Sequence, residues 1–189
     1  MSRYLPLFPG KHQPVENVIE LCSNDLVNSD IFIALGSNIG DREGNILHGI
    51  AEIAKISGSR ITALSSFYDT EPVGMGAANN FVNAVLRLES SLLPEELLTE
   101  LMRIETDIFG RKRINGVEPR SIDLDLLFYG AEKISNPPGL VIPHPRLHER
   151  KFVLEPLTEI APDFRHPVLG RTVRELLDGL QDRSAVTKL

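Results

Sequence analysis

Pro119-Arg120-Ser121-Ile122-Asp123-Leu124-Asp125-Leu126-Leu127 is the stretch whose reading decides the fold. From Ser121 to Leu126 polar and aliphatic side chains alternate strictly. Successive side chains of a β-strand point to opposite faces, so Asp123 and Asp125 share one face while Ile122, Leu124 and Leu126 share the other. The aliphatic face has to be covered by other elements. The acidic face is expected to stay open.

Working outward, Leu97, Leu98, Leu101, Ile104 and Ile108 recur at helical spacing, after a start marked by Ser91, Pro94, Glu95 and Glu96 and before a stop at Gly110. Ile61 to Tyr68 and Phe81 to Leu88 are rich in β-formers and are separated by a loop with Pro72, Gly74, Gly76 and Asn79-Asn80. Ile46, Leu47, Ile50, Ile53, Ala54 and Ile56 give a second amphipathic helix. Ahead of it, Ile31 to Leu35 is a short apolar run closed by Gly36-Ser37-Asn38, the pattern of a buried strand entering a turn. The order β-α-β-β-α-β predicts an α+β, ferredoxin-like fold: a four-stranded antiparallel sheet with both helices on one face. A helix over 172–180 is a C-terminal addition. Residues 1–29 read as an N-terminal extension and 30–189 as one domain.

Composition narrows the function classes. The chain has 189 residues, 42% of them apolar, enough for one core. Its net charge of −6, from 20 basic and 26 acidic side chains, provides no general basic field, so nucleic acid is not an expected partner. Cys22, the only cysteine, leaves no internal disulfide and no cysteine-based zinc site. Pro6 and Pro9 interrupt the apolar N-terminal residues, and no run approaches the ~20 apolar residues that span a bilayer. A cytoplasmic protein without a membrane partner is expected, and a monomer.

Two carboxylates side by side on an open face repel each other unless a cation joins them. Such a pair suits Mg²⁺, which takes few carboxylate oxygens and completes its octahedron with water and phosphate; an Asp-x-Asp strand is also common as plain solvated surface. Arg111, Arg113 and Arg120 lie close in sequence, and cations beside carboxylates suit a phosphate that bridges metal and guanidinium. Alternation puts Phe81 and Asn83 on one face, opposite Val82 and Ala84, where an aromatic ring and an amide can hold a flat heterocycle. Pro143-His144-Pro145 fixes a histidine in a stiff loop. Gly36-Ser37-Asn38-Ile39-Gly40 is neither a Walker loop nor a dinucleotide fingerprint.

In order along the chain, Ala34-Leu35-Gly36-Ser37-Asn38, Ser65-Ser66-Phe67-Tyr68, Thr70-Glu71-Pro72, Phe81-Val82-Asn83-Ala84, Arg103-Ile104-Glu105, Gly110-Arg111, Pro119 to Leu127, Ile142-Pro143-His144-Pro145 and Arg150-Lys151-Phe152 resemble the hydroxymethyldihydropterin pyrophosphokinase family over residues 31 to about 165. The resemblance implies transfer of pyrophosphate from ATP to 6-hydroxymethyl-7,8-dihydropterin in folate biosynthesis. It implies that Asp123 and Asp125 hold two Mg²⁺ ions, that Arg111, Arg113, Arg120, His144 and Glu105 serve ATP, and that Arg111 and Arg120 act with the aspartates in catalysis. The pterin is then expected between Phe81 and Phe152, with its edge read by Asn83 and by the backbone of Thr70, Pro72 and Val73. Loops over 72–80 and 111–119 are expected to close over both substrates.

Many family members carry Trp-Gly before the Pro-Arg pair, where this chain has Val117-Glu118. A non-catalytic nucleotide-binding or regulatory domain on the same fold is the alternative. An RNA-recognition module shares the element order, but the acidic charge and the aspartate pair oppose it.

Overall fold

The computed structural model describes residues 28–72, 79–110, 120–136 and 139–189. Strand β1 (Asn28–Ser37) is central, pairing antiparallel with β4 (Phe81–Ser90) on one side and β5 (Asp123–Tyr129) on the other. The second predicted strand is split into β2 (Ser59–Leu64) and β3 (Tyr68–Thr70), both antiparallel to β4. Ser65 bridges the break: its N–H donates to the Val85 carbonyl at 2.9 Å, and its hydroxyl accepts the Val85 N–H at 2.9 Å. A side chain thus stands in for one backbone acceptor of the ladder.

Helix α1 (Arg42–Ile53) is capped by Asp41, whose carboxylate accepts the Gly44 N–H, and buries Ile46, Gly49 and Ile53. Leu47, assigned to the buried stripe from spacing, is 56% exposed. Gly49 takes the seam instead, so close to the sheet that an added Cβ would lie 3.3 Å from the Ile122 Cδ1. Helix α2 (Pro94–Arg103) starts later than its Ser91 signal suggests. Leu93 is the capping position, its N–H donating to Glu96 at 2.8 Å, while the Ser91 hydroxyl donates to the Gly58 carbonyl. The helix runs into a π-helical turn over Ile104–Ile108, beyond which Gly110 has a φ of +65°.

These two helices cover one face of the sheet, over Ile31, Ile33, Leu35, Val82, Ala84, Leu86, Leu124 and Leu126. The other face is only half open, which corrects the expectation of a bare surface. After the short hairpin β6 (Ile134–Ser135) and β7 (Val141–Ile142), the chain forms α3 (Lys151–Ile160) and α4 (Val173–Asp178). Their Val153, Leu154, Leu157, Val173 and Leu176 pack on Phe32, Val85, Leu127 and Phe128. Helix α3 was not foreseen, because Pro156 lies inside it and masks the apolar stripe. Strand β8 (Val186–Lys188) then adds to the free edge of β3, giving the order β5-β1-β4-β3-β8, with β2 also beside β4.

The covered half and the exposed half of that second face lie on the same strands. Along β1 its residues are Phe32, Ala34 and Gly36, diminishing in volume away from the second core. On β4 they run Val85, Asn83, Phe81, and on β5 Leu127, Asp125, Asp123. Among the described residues, no helix is long and apolar enough to cross a membrane.

Candidate active site

Where α3 and α4 stop covering the sheet, a cavity of about 250 Å³ opens. Its floor is Ala34, Gly36, Asn83, Asp123 and Asp125, and its walls include Phe81, Thr70, Glu71, Arg120, Arg146, Arg150 and Phe152. Cross-strand register explains the grouping, since Gly36 pairs with Asn83 on one side and with Asp123 on the other. A Cβ on Gly36 would fall 2.9 Å from the Asn83 Oδ1, so glycine keeps the passage between the amide and the carboxylate clear.

The Asn83 side-chain nitrogen donates to the Thr70 Oγ1 at 2.6 Å, which turns its carbonyl oxygen toward Gly36. Arg120 donates to the Asp123 Oδ2 at 2.5 Å. Its backbone is clamped by Asn38, which is 2% exposed: the Asn38 Oδ1 accepts the Arg120 N–H at 2.6 Å, and the Asn38 N–H donates to the Arg120 carbonyl at 3.1 Å. Asn38, just after β1, thus positions the arginine that leads into β5.

Asp125 lies beneath an arginine and a histidine. Arg150 Nη1 is 3.4 Å and His144 Nε2 4.0 Å from its Oδ2. Burial and, after it, the neighbouring Asp123 charge raise the Asp125 carboxyl above its usual range, and His144, Arg150 and Arg120 offset this only in part. Burial also lowers the His144 pKa. His144 accepts the Arg146 N–H at Nδ1, at 3.2 Å, which assigns the ring proton to Nε2, facing the carboxylate. The Arg150 guanidinium lies 5.6 Å from the Phe152 ring centroid, so one arginine faces both the acidic floor and an aromatic wall.

The fit to a cation follows from this donor set. Two adjacent carboxylates, one held back from ionising by burial and then by the other, gain from a positive charge between them. Among the described residues no group of three or more histidine, cysteine or acidic side chains is placed to hold a metal. A pair that leaves most of the coordination shell to water and phosphate oxygen suits Mg²⁺ and not a closed zinc site.

Of the residues singled out from sequence, Thr70, Phe81, Asn83, Arg120, Asp123, Asp125 and Phe152 line the cavity, with His144 beside Asp125. Pro72 is half-buried and off the lining. Glu105 is elsewhere: it is 3% exposed, beneath β5, and its Oε1 accepts the Leu124 N–H at 2.8 Å. The π-helical turn brings it there, so it supports the strand between the two aspartates and does not line the cavity. Arg111, Arg113, Val73 and most of both expected closing loops lie outside the described residues. Gly36, Glu71, Arg146 and Arg150 were not assigned roles from sequence. The Arg146/Arg150 spacing just after His144 was the available signal for the last two.

Comparison with known proteins points the same way. The family model described as 7,8-dihydro-6-hydroxymethylpterin-pyrophosphokinase matches residues 32–162. The chain is 39% identical over 150 residues to the 2-amino-4-hydroxy-6-hydroxymethyldihydropteridine pyrophosphokinase of Haemophilus influenzae, a match covering 78% of this chain and 92% of that one. It is 41% identical over 159 residues to the folic acid synthesis protein fol1 of Pneumocystis carinii, covering 84% of this chain but only 21% of that protein. The crystal structure of wild-type Plasmodium falciparum HPPK-DHPS with pterin and p-hydroxybenzoate shares the fold, with a TM-score of 0.63 at 16% identity, over 85% of this chain and 44% of that one.

Proposed function

The chain belongs to the 7,8-dihydro-6-hydroxymethylpterin-pyrophosphokinase family, and from that premise we propose that its cavity is where pyrophosphate passes from ATP to 6-hydroxymethyl-7,8-dihydropterin. The observation that carries this reading is one cavity whose walls are divided by chemistry. Phe81, Phe152, Asn83 and Thr70 offer a slot for a flat, hydrogen-bonding heterocycle, and Asp123, Asp125, Arg120 and Arg150 offer an acidic floor under cations.

In this reading the pterin ring lies between Phe81 and Phe152, and the Asn83 carbonyl accepts from its ring edge. Thr70 holds the Asn83 amide in the orientation this requires. Pro72 and Val73 would add backbone contacts. Arg120 reaches the triphosphate from the Asp123 side and Arg150 from the Asp125 side, with His144 behind it. Arg111 and Arg113 would join them, and Glu105 acts from below by fixing β5. Asp123 and Asp125 would hold two Mg²⁺ ions, which would neutralise phosphate charge. The hydroxymethyl oxygen attacks the β-phosphorus and gives up its proton to water. The bond from that phosphorus to the oxygen shared with the α-phosphate breaks, and AMP leaves with this oxygen. Little else is asked of the protein than alignment and electrostatic support, because phosphoryl transfer needs positioning and charge stabilisation above all.

The test is release of AMP from ATP and Mg²⁺ by the purified protein, with and without the pterin. AMP that depends on the pterin, with no ADP, is the expected result. ADP in place of AMP overturns the site of attack. No AMP despite tight ATP binding gives the regulatory alternative.

A further inference from the structure

The C-terminal segment is tied to both sides of the cavity. On one side, Asp182 Oδ2 accepts the backbone N–H of Lys151 at 3.2 Å, and the Lys151 ammonium donates to the Ser184 carbonyl at 3.2 Å. Lys151 lies between Arg150 and Phe152, two wall residues. On the other side, the Glu71 N–H donates to the Ala185 carbonyl at 3.3 Å and the Ala185 N–H to the Glu71 carboxylate at 3.2 Å. β8 continues that pairing from Val186 opposite Thr70 to Lys188 opposite Tyr68, and the Leu189 N–H closes on the Phe67 carbonyl at 2.9 Å. Thr70 and Glu71 are wall residues too.

From Asp182 to Leu189 no residue is buried, so this segment adds little to either core. Its bonds are polar, short in sequence and directed at the two walls. The step from Asp182 to Ala185 is three residues and spans at most about 11 Å when fully extended. It therefore limits how far the start of α3 can move from Thr70–Glu71.

We infer that residues 182–188 form a strap that sets the width of the pterin slot by holding Phe152 on one wall in register with Thr70 on the other. The inference rests on the pterin assignment above. Arg150 shares the peptide unit that the strap holds, but Arg120 and both aspartates lie away from it, so the effect falls far more on the pterin than on ATP. These are positioning residues. A heterocycle gripped between two faces is sensitive to their separation, because dispersion contacts are lost within an ångström of extra space.

Two single variants of the full-length chain cut the strap at opposite ends. Asp182→Ala releases Lys151. Thr187→Pro removes the N–H that the two-residue alternation between Ala185 and Leu189 aims at β3. Binding of 6-hydroxymethylpterin, followed by its own fluorescence, is measured beside ATP binding in Mg²⁺ and thermal unfolding. Each single variant is expected to weaken pterin binding by about fivefold or more and to leave ATP binding within twofold. The double variant should bind no worse than the weaker single, since a strap cut once is already slack. Asp182→Asn, which keeps one acceptor, should recover part of the loss. Unchanged pterin affinity in either single variant, an equal loss for ATP, or fully additive losses overturns the strap. If the wild-type chain binds no pterin, the functional reading fails before the strap is tested.

Discussion

Asp123 and Asp125 are placed by nothing more than the two-residue period of a strand, and for that reason the acidic floor was legible from sequence. The same period placed Phe81 beside Asn83. What it did not give was the third dimension: Arg150, just ahead of α3, reaches Asp125 from 25 residues later, through a fold that no local pattern encodes. Asp125→Ala should nearly abolish turnover and Mg²⁺-dependent ATP binding with the fold retained, read by AMP release and circular dichroism; normal activity would remove the metal assignment. Asn83→Ala should weaken pterin binding by roughly tenfold, about 1.4 kcal/mol, the scale of a lost buried hydrogen bond, and leave ATP binding nearly unchanged. Titration of each ligand separately checks this, and equal losses would contradict the division of the cavity.

At the level of elements, periodicity found the sheet and both helices on its first face but missed α3, and it did not reveal the contact of Glu105 with β5. A proline inside α3 obscured the first. The second was hidden because Glu105 enters its position through a π-helical turn, which shifts the side chain off the regular helical phase. Among the described residues β5 is an edge strand, and its Leu124 N–H, which faces away from β1, is satisfied by this carboxylate. Glu105→Ala should therefore destabilise the protein by about 1–3 kcal/mol, the penalty for a buried donor left unpaired. Glu105→Gln, which keeps an acceptor, should lose less. Urea denaturation of the two variants separates this structural role from direct contact with ATP, since a nucleotide ligand would show its loss in ATP affinity with stability preserved.

Across the whole molecule, Glu159 gathers separate parts of the chain on one carboxylate. From α3 it accepts from the Ser66 N–H and hydroxyl, from Tyr68 Oη at 2.8 Å and from Lys188 at 3.1 Å. Burial alone would raise its pKa, but the bonds from Tyr68, Ser66 and Lys188 prevail and bring it from 4.5 down to about 2. A carboxyl whose folded pKa is depressed stabilises the fold above its unfolded value and loses that contribution as the pH falls toward the folded one. The stability difference between wild type and Glu159→Gln should thus be full above pH 4.5 and shrink as the pH falls toward 2, as followed by denaturation at a series of pH values. A constant difference would mean that the carboxylate charge is not what joins these elements.

The sequence Phe32, Ala34, Gly36 along β1 acts as a graduated scale. Its large end is stacked into the second core, where the Phe32 ring lies 5.0 Å from that of Phe164, and its empty end forms the floor of the cavity. Among the described residues, the boundary between protein interior and cavity is thus a gradient of side-chain volume written into one strand. Ala34 is the mark at which that boundary falls. Enlarging it would raise the floor beside Asp125, its cross-strand partner, so the depth of the cavity is adjustable by a residue that carries no chemistry at all.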